Sequence, residues 1–491
     1  MEDKNKYLCM KKRIRIIFKS PQVSSILFLL LFIVIHVSLL LNTTFIDWPE
    51  IILFPWLMKQ GLLLYKDMIV VHSPGSVYLS YLFFNLTGYT VFWYRVFAYT
   101  VIITIDILLY LLTLHLWKKR AIAVLITAVY IFFQVPLQGN SIWQELIFTP
   151  FMLLTYWVLG KYIQIQKLKY LFIVSLIFGL SLLIKQNALY PLTGTAIFLL
   201  FLHFKHPLEA FRRIILLIFI PASLVVLLWF FYSSTGLQHE FVLWVIQYPF
   251  LLIGKERSYV ILPSLMLSFK IAAIFAGIPI SFILVFLKGI NKQERYKIVF
   301  LILFCFSLIM AGLPRWEEFR MQPSLPFAML SLGFIINNFY SLQERKNIKY
   351  LLFILIFPIL IFSLRYVYRF YRIENPKMHQ FLTEKNKIIA QEINHYIGNG
   401  SFYLLGNYEY FYYLMNRKPE VVPWTQHFPW LMNVDNLELK MLDQLNKANI
   451  TYIVLTKSEI PKGFIPYLNQ YYEFVYELSD GGWIIKKKMG P

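Results

Sequence analysis

An otherwise apolar chain carries one dense run of groups suited to acid–base work. It reads Asp47-Trp48-Pro49-Glu50, then Gly61, Tyr65 and Asp67, then His72-Ser73-Pro74-Gly75. A second set is dispersed along the chain: Glu145, Lys185-Gln186-Asn187, and the stretch from Arg315 to Arg320. A carboxylate can accept a proton from an attacking hydroxyl. Fixed lysine and arginine side chains can stabilise the negative charge that grows on a departing phosphate. Together these types suit transfer from a lipid-borne phosphate, provided that something gathers them at a membrane edge.

Composition supplies that something. Hydrophobic residues make up 58% of the chain and charged residues 15%, whereas about a quarter of an ordinary soluble domain is charged. Apolar runs at 22–42, 92–117, 120–136, 142–160, 169–185, 188–204, 213–232, 262–287, 297–313, 322–341 and 348–366 predict a mainly α, polytopic membrane protein with about 11 transmembrane helices. The first run is too long for a signal-peptide core and is read as a retained helix. Residues 1–366 form the expected membrane domain. Its first outer loop, 43–91, carries juxtamembrane helices.

The net charge of +21 is not spread as nucleic-acid binding would require. It sits in short clusters between alternate apolar runs, such as Lys11-Lys12-Arg13 and Lys118-Lys119-Arg120, as cytoplasmic loops facing anionic lipid would carry it. That alternation predicts a cytoplasmic N-terminus, partners that include membrane lipids and exclude nucleic acid, and residence in the cell (plasma or inner) membrane. It places Asp47, Glu50, Asp67, His72, Glu145, Lys185, Arg315 and Arg320 on the outer face. The two cysteines, Cys9 and Cys305, provide no disulfide framework.

Residues 367–491 change character and predict a small extracytoplasmic α/β domain. Asn375-Pro376 opens a polar helix that runs to about residue 397, where Gly398-Asn399-Gly400 stops it. Strands are expected at 401–405, 451–455, 473–478 and 483–487. Helices are expected at 436–447 and 464–472, and Asp480-Gly481-Gly482 marks a hairpin turn. No nucleophile, phosphate-loop or metal-ligand pattern assigns this domain any chemistry.

Every polar residue singled out also has a structural reading. Asp47 fits a loop acid or helix cap, and Glu145 a response to a helix dipole. Lys185 fits an interfacial snorkelling side chain. Arg315 and Arg320 suit interface anchors beside Trp316, and His72 a loop histidine. Asp106 stands alone within the second apolar run.

In combination, these residues resemble the GT-C superfamily of polyprenyl-phosphate-sugar-dependent glycosyltransferases. The likeness is to the family 39-like, aminoarabinose-transferase-like branch related to protein O-mannosyltransferases. Asp47, Gly61, Tyr65, Asp67, His72 and Pro74 keep the register of that branch's first outer loop, although Trp48 stands where a second acid is usual. Leu183-Ile184-Lys185-Gln186 is similar to its Lys-Gln turn. Residues 315–326, with Pro323 and Pro326, resemble its late Arg-rich loop; Phe319-Arg320 stands near the usual His-Tyr. Phe402-Tyr403-Leu404-Leu405-Gly406, Thr451–Leu455 and Gly482-Trp483 are similar to the outer domain of many members.

The resemblance implies an inverting transfer of a sugar from a polyprenyl-phosphate donor to a lipid, glycan or protein acceptor. It implies that Asp47 is the base and that Glu145 positions the acceptor or a metal. Lys185 and Gln186, with Arg315 and Arg320, would hold the donor phosphate. Glu50, Tyr65, Asp67 and His72 would support the first loop. Some relatives use a divalent cation near these acids, so Asp47 and Glu145 are the metal candidates. Two other classes fit the membrane pattern: a transporter or flippase of a lipid-linked or small polar substrate, and a non-catalytic scaffold. A transporter usually shows internal repeats, and the chain has no matching halves.

Overall fold

The computed structural model describes residues 21–248, 260–286, 291–313, 315–339, 361–362, 364–374, 381–456 and 460–488. Helices α1 (Pro21–Leu41), α2 (Pro49–Lys59) and α3 (Gly75–Thr87) lead into α4 (Val91–Trp117), α5 (Arg120–Gln134) and α6 (Gln144–Ile165). Then come α7 (Leu168–Ile184), α8 (Leu189–Leu202) and α9 (Pro207–Ser234). The helical part continues with α10 (Leu265–Phe275), α11 (Gly277–Val285), α12 (Lys292–Met310) and α13 (Leu325–Phe339).

Among the described residues, six stretches are long and apolar enough to cross a membrane: 22–41, 91–117, 120–137, 144–165, 207–234 and 267–285. The stretches 168–184, 186–202 and 325–338 are apolar but shorter. Large apolar side chains such as Phe92, Phe204, Phe219 and Leu227 face outward. Such a surface is stable in lipid and not in water. The protein is an integral membrane protein.

Small residues bring the helices together where apolar attraction between them is weak. Gly179 of α7 is an example: a Cβ there would stand 2.7 Å from Leu224 Cδ1 of α9. Nearby, Ser175 Oγ donates to the Leu217 carbonyl at 2.8 Å. Local signals set several ends. Thr90 caps α4 through Trp93 N, and Asn291 caps α12 by accepting from Glu294 N at 2.8 Å. Pro49 sits at the start of α2, where its missing N–H costs nothing.

Two expectations change. The single helix expected over 262–287 is broken between Phe275 and Gly277. Pro279 lies four residues beyond Phe275, so its ring crowds that carbonyl and ends the run. The expected span 348–366 lies largely outside the described residues.

The C-terminal segment contains α14 (Glu384–Ile397), β1 (Phe402–Leu404), α15 (Leu437–Lys447), β2 (Tyr452–Leu455), α16 (Phe464–Tyr471), β3 (Tyr472–Glu477) and β4 (Trp483–Lys487). The sheet order is β1-β2-β4-β3. The β1–β2 pair is parallel and the other pairs are antiparallel. Of the polar helix expected from Asn375-Pro376, the described part starts only at Glu384; residues 375–380 lie outside the described residues. Residues 381–383 are not helical. The amides of Phe381 and Leu382 bond elsewhere, and Thr383 Oγ1 caps α14 by accepting from Asn386 N at 3.1 Å.

Candidate functional site

Four connections at one end of the bundle pack together, and a few side chains hold them. Ile46 N donates to the Asn140 carbonyl at 2.8 Å, forming a short bridge with the 138–143 turn. Asn140 Nδ2 donates to the Leu40 carbonyl at 2.8 Å, tying that turn to the end of α1. Gln322 Nε2 donates to the carbonyls of Gln134 and Leu137, at 2.9 and 2.7 Å, which adds the late Arg-rich loop. Gln186 Nε2 donates to Val71 O at 3.0 Å and to Val245 O at 3.3 Å. The Val245 carbonyl lies in a π-helical turn, Val242–Gln247, a geometry frequent at functional sites. Gly75 lets α3 start directly against the end of α7, because a Cβ there would stand 2.4 Å from the Leu183 carbonyl oxygen.

At the centre, Lys185 Nζ donates to Glu145 Oε1 in an ion pair with both side chains 6% exposed. Lys185 follows the last turn of α7, and Glu145 occupies the first turn of α6. Arg320 lies close enough to act on both charges. Glu317 gathers the late loop: Arg315 Nη2 reaches its Oε1 at 3.2 Å and Arg320 Nε its Oε2 at 3.0 Å. His72 stands beside this cluster. Burial, followed by the charge of Lys185, pushes its imidazole down to about 3, so it is neutral at physiological pH. Glu145, Lys185, Gln186, Arg320 and His72 are thus brought together, with Arg315 joined through Glu317.

Asp47 sits apart from that cluster. Its Oδ1 accepts from Phe381 N and its Oδ2 from Leu382 N, both at 2.7 Å. Its charged neighbour is Arg95. Burial raises its carboxyl to about 6, and the two backbone amides oppose that rise. An aromatic stack joins Asp47 to the ion pair. Trp48 lies against Trp143, centroids 4.0 Å apart, and Trp143 stacks on Phe319 at 3.9 Å and 9°. Arg320 follows Phe319 and Glu145 lies two residues beyond Trp143.

The other first-loop residues support the fold. Asp67 Oδ2 accepts from Leu63 N at 2.9 Å and closes a turn. Tyr65 adopts φ +67°, donates its hydroxyl to the His72 carbonyl at 2.8 Å, and packs on Tyr232 and Phe241. Glu50 points into the contact with the C-terminal segment, where Gln426 Nε2 donates to Oε1. Burial lifts the Glu50 carboxyl to about 7. The sequence gives no signal for the Trp143–Phe319 stack or for the Phe381 and Leu382 amides, since backbone donors leave no trace in residue type. Trp48 had registered only as a missing acid.

Asp47 and Glu145, the two metal candidates, are each engaged within the protein. Asp47 spends both oxygens on amides and Glu145 holds Lys185. Among the described residues, no three His, Cys, Asp or Glu side chains gather around one point.

Residues 71–232 match the family model described as dolichyl-phosphate-mannose-protein mannosyltransferase. The whole fold is similar to the crystal structure of ArnT from Cupriavidus metallidurans bound to undecaprenyl phosphate. The TM-score is 0.59 at 10% identity, over 96% of this chain and 100% of that one. The chain has an ArnT-like polytopic fold. The matched stretch contains His72, Glu145, Lys185 and Gln186 but not Asp47, Arg315 or Arg320. The likeness in fold therefore extends beyond the residues that the family model matches. No curated protein matches the chain.

Proposed function

We propose that this protein transfers a sugar from a polyprenyl-phosphate donor to an acceptor hydroxyl at the outer face of the membrane, with inversion. The observation that carries this reading is the buried Glu145–Lys185 pair with Arg320 beside it, where α6 begins and α7 ends and next to the Asp47 loop. The family-model match and the undecaprenyl phosphate bound by ArnT support a prenyl-phosphate donor.

The separation of Asp47 from the cations suits the chemistry. In a direct displacement the nucleophile enters opposite the leaving phosphate, so the base and the phosphate-holding cations belong on either side of the sugar. Lys185 and Arg320 neutralise the phosphate as the glycosidic bond breaks. Arg315 and Glu317 hold Arg320 in place. The Asp47 carboxylate accepts the acceptor's hydroxyl proton as the new C–O bond forms. Trp48, Trp143 and Phe319 stack between the two centres and present an apolar face there. The acceptor is a lipid, glycan or protein at the outer face, and the N-terminus faces the cytoplasm.

Purified protein in lipid nanodiscs, given polyprenyl-phosphate sugars, releases the prenyl phosphate and glycosylates the acceptor. Asp47→Asn lowers turnover by about 100- to 10,000-fold, the usual contribution of a general base, with the thermal unfolding transition retained. A folded Asp47→Asn variant of full activity overturns the base assignment. Exchange of a lipid-linked sugar across the bilayer, without cleavage, overturns the enzyme reading.

A further inference from the structure

The sheet of the C-terminal segment carries a polar groove that the transfer chemistry leaves unused. It has a volume of about 420 Å³. It lies where the two parallel strands end: β1 stops at Leu404, just before Asn407 and Tyr408, and β2 stops at Leu455, just before Thr456. In α/β sheets the crevice outside the carboxyl ends of parallel strands is the usual place for a ligand. The first turn of α14, with Lys385 and Asn386, forms a second wall, and the Asp480–Gly482 hairpin forms a third.

The lining is chemically mixed. Asn386 and Asn407 offer both donors and acceptors, Thr456 a hydroxyl and Asp480 a carboxylate. One lysine balances one aspartate, so the groove does not select an anion. Asp480 is held in place: its Oδ1 accepts from Tyr408 Oη at 2.6 Å and from Gly482 N at 3.2 Å. Only glycine lets the hairpin close on Tyr408, because a Cβ at 482 would stand 2.0 Å from that hydroxyl. Thr456 Oγ1 is buried with no hydrogen-bond partner among the described residues. A buried hydroxyl left unsatisfied calls for a ligand or water.

The groove is also wired to Asp47. Asn386 Nδ2 donates to the Phe381 carbonyl at 2.8 Å, and the amides of Phe381 and Leu382 hold the Asp47 carboxylate. Asn386 lies four positions after Leu382, so even fully extended chain would place them no more than about 14 Å apart. Two or three sugar units would bridge that span.

We infer that this groove binds the carbohydrate portion of the acceptor, and so delivers a hydroxyl toward Asp47. Paired donors and acceptors without net charge match sugar hydroxyls, which both donate and accept. The inference rests on the glycosyltransferase reading for its role but not for its binding.

The test uses full-length protein in nanodiscs on a printed array of bacterial surface oligosaccharides. Wild type and Asp47→Asn retain at least one oligosaccharide. Asn407→Trp, which fills the groove from an exposed position, and Thr456→Val, which removes the hydroxyl at constant shape, weaken that binding at least 10-fold. In turnover, both variants raise the KM for a bound oligosaccharide used as acceptor, while slow hydrolysis of the prenyl-phosphate donor by water is unchanged. The inference falls if wild type retains no oligosaccharide, or if retention survives both substitutions. Loss of donor hydrolysis in wild type as well would instead remove the glycosyltransferase reading, and the array result would still decide whether the groove binds sugar.

Discussion

Two of the buried acid–base contacts among the described residues are built differently. Glu145 and Lys185 meet where α6 begins and α7 ends, where loops converge and Arg320 and His72 lie alongside. Asp106 and His36 meet inside the bundle, between α4 and α1, with both side chains fully buried. His36 Nδ1 stands 2.8 Å from Asp106 Oδ2, and its Nε2 lies 3.1 Å from Gln134 Oε1. Gln134 is itself fixed, because its Nε2 donates to the Gly139 carbonyl at 2.9 Å. Gln134 closes the inner pair on the His36 side, while Asp106 Oδ1 is buried with no hydrogen-bond partner among the described residues. The other pair has a second cation alongside, Arg320, which also holds Glu317. In the proposed reaction that added positive charge is what an arriving phosphate needs.

Single deletions give the largest contrast. Lys185→Ala lowers sugar transfer by about 100- to 1,000-fold, in line with loss of one group that stabilises developing negative charge. It costs little unfolding temperature, since Arg320 remains to neutralise Glu145. His36→Ala leaves Asp106 buried without its hydrogen-bond partner and destabilises the bundle by about 1–3 kcal/mol. Thermal unfolding and turnover of the two variants, measured side by side, check the contrast. Equal destabilisation by both would erase it.

Paired deletions sharpen it. Replacing His36 and Asp106 together by leucine removes both hydrogen-bonding partners as a unit and is close to neutral. The double variant keeps transfer activity. Replacing Glu145 and Lys185 together by leucine and methionine also folds but is inactive. An active double variant there would show that the pair serves packing alone.

The pH profile separates Asp47 from both pairs. Its carboxyl is raised from 3.8 to about 6, so it must lose its proton to act as a base. Activity therefore falls as pH drops through about 6. The linked stability term has the opposite sense: the folded chain holds this proton more tightly, so the term is present at acid pH and is lost as pH rises from about 4 to 6. A rate profile flat between pH 5 and 7 contradicts the assignment of Asp47.

The smallest effect comes from the contact that orders the first loop. Gly75→Ala pushes a methyl against the Leu183 carbonyl and costs about 1–3 kcal/mol by overpacking. It moves His72 relative to Lys185, so it raises the KM for donor more than it lowers the unfolding temperature.

Much of this was legible in the residues. Apolar runs located the helices, because a helix in lipid must satisfy its own backbone and present carbon outward. The Asp480-Gly481-Gly482 turn gave the terminal hairpin. Lys185, Glu145 and Arg320 stood out because charge at bilayer depth is costly without a purpose. Other features were hidden. Glu50 and Asp67 carry the same charge as Asp47, yet one faces Gln426 and the other closes a turn. Residue type does not reveal which way a loop acid turns.

The sequence by itself determined a membrane bundle with a polar outer rim and a small mixed sheet, because hydropathy and turn chemistry act locally. Only the tertiary structure decided that the rim divides into a cationic centre around Lys185 and a separate Asp47 held by the amides of Phe381 and Leu382. Those groups are more than 300 residues apart along the chain in the case of Asp47 and Phe381. Their meeting depends on how the C-terminal segment packs on the first outer loop, and no local pattern encodes that contact.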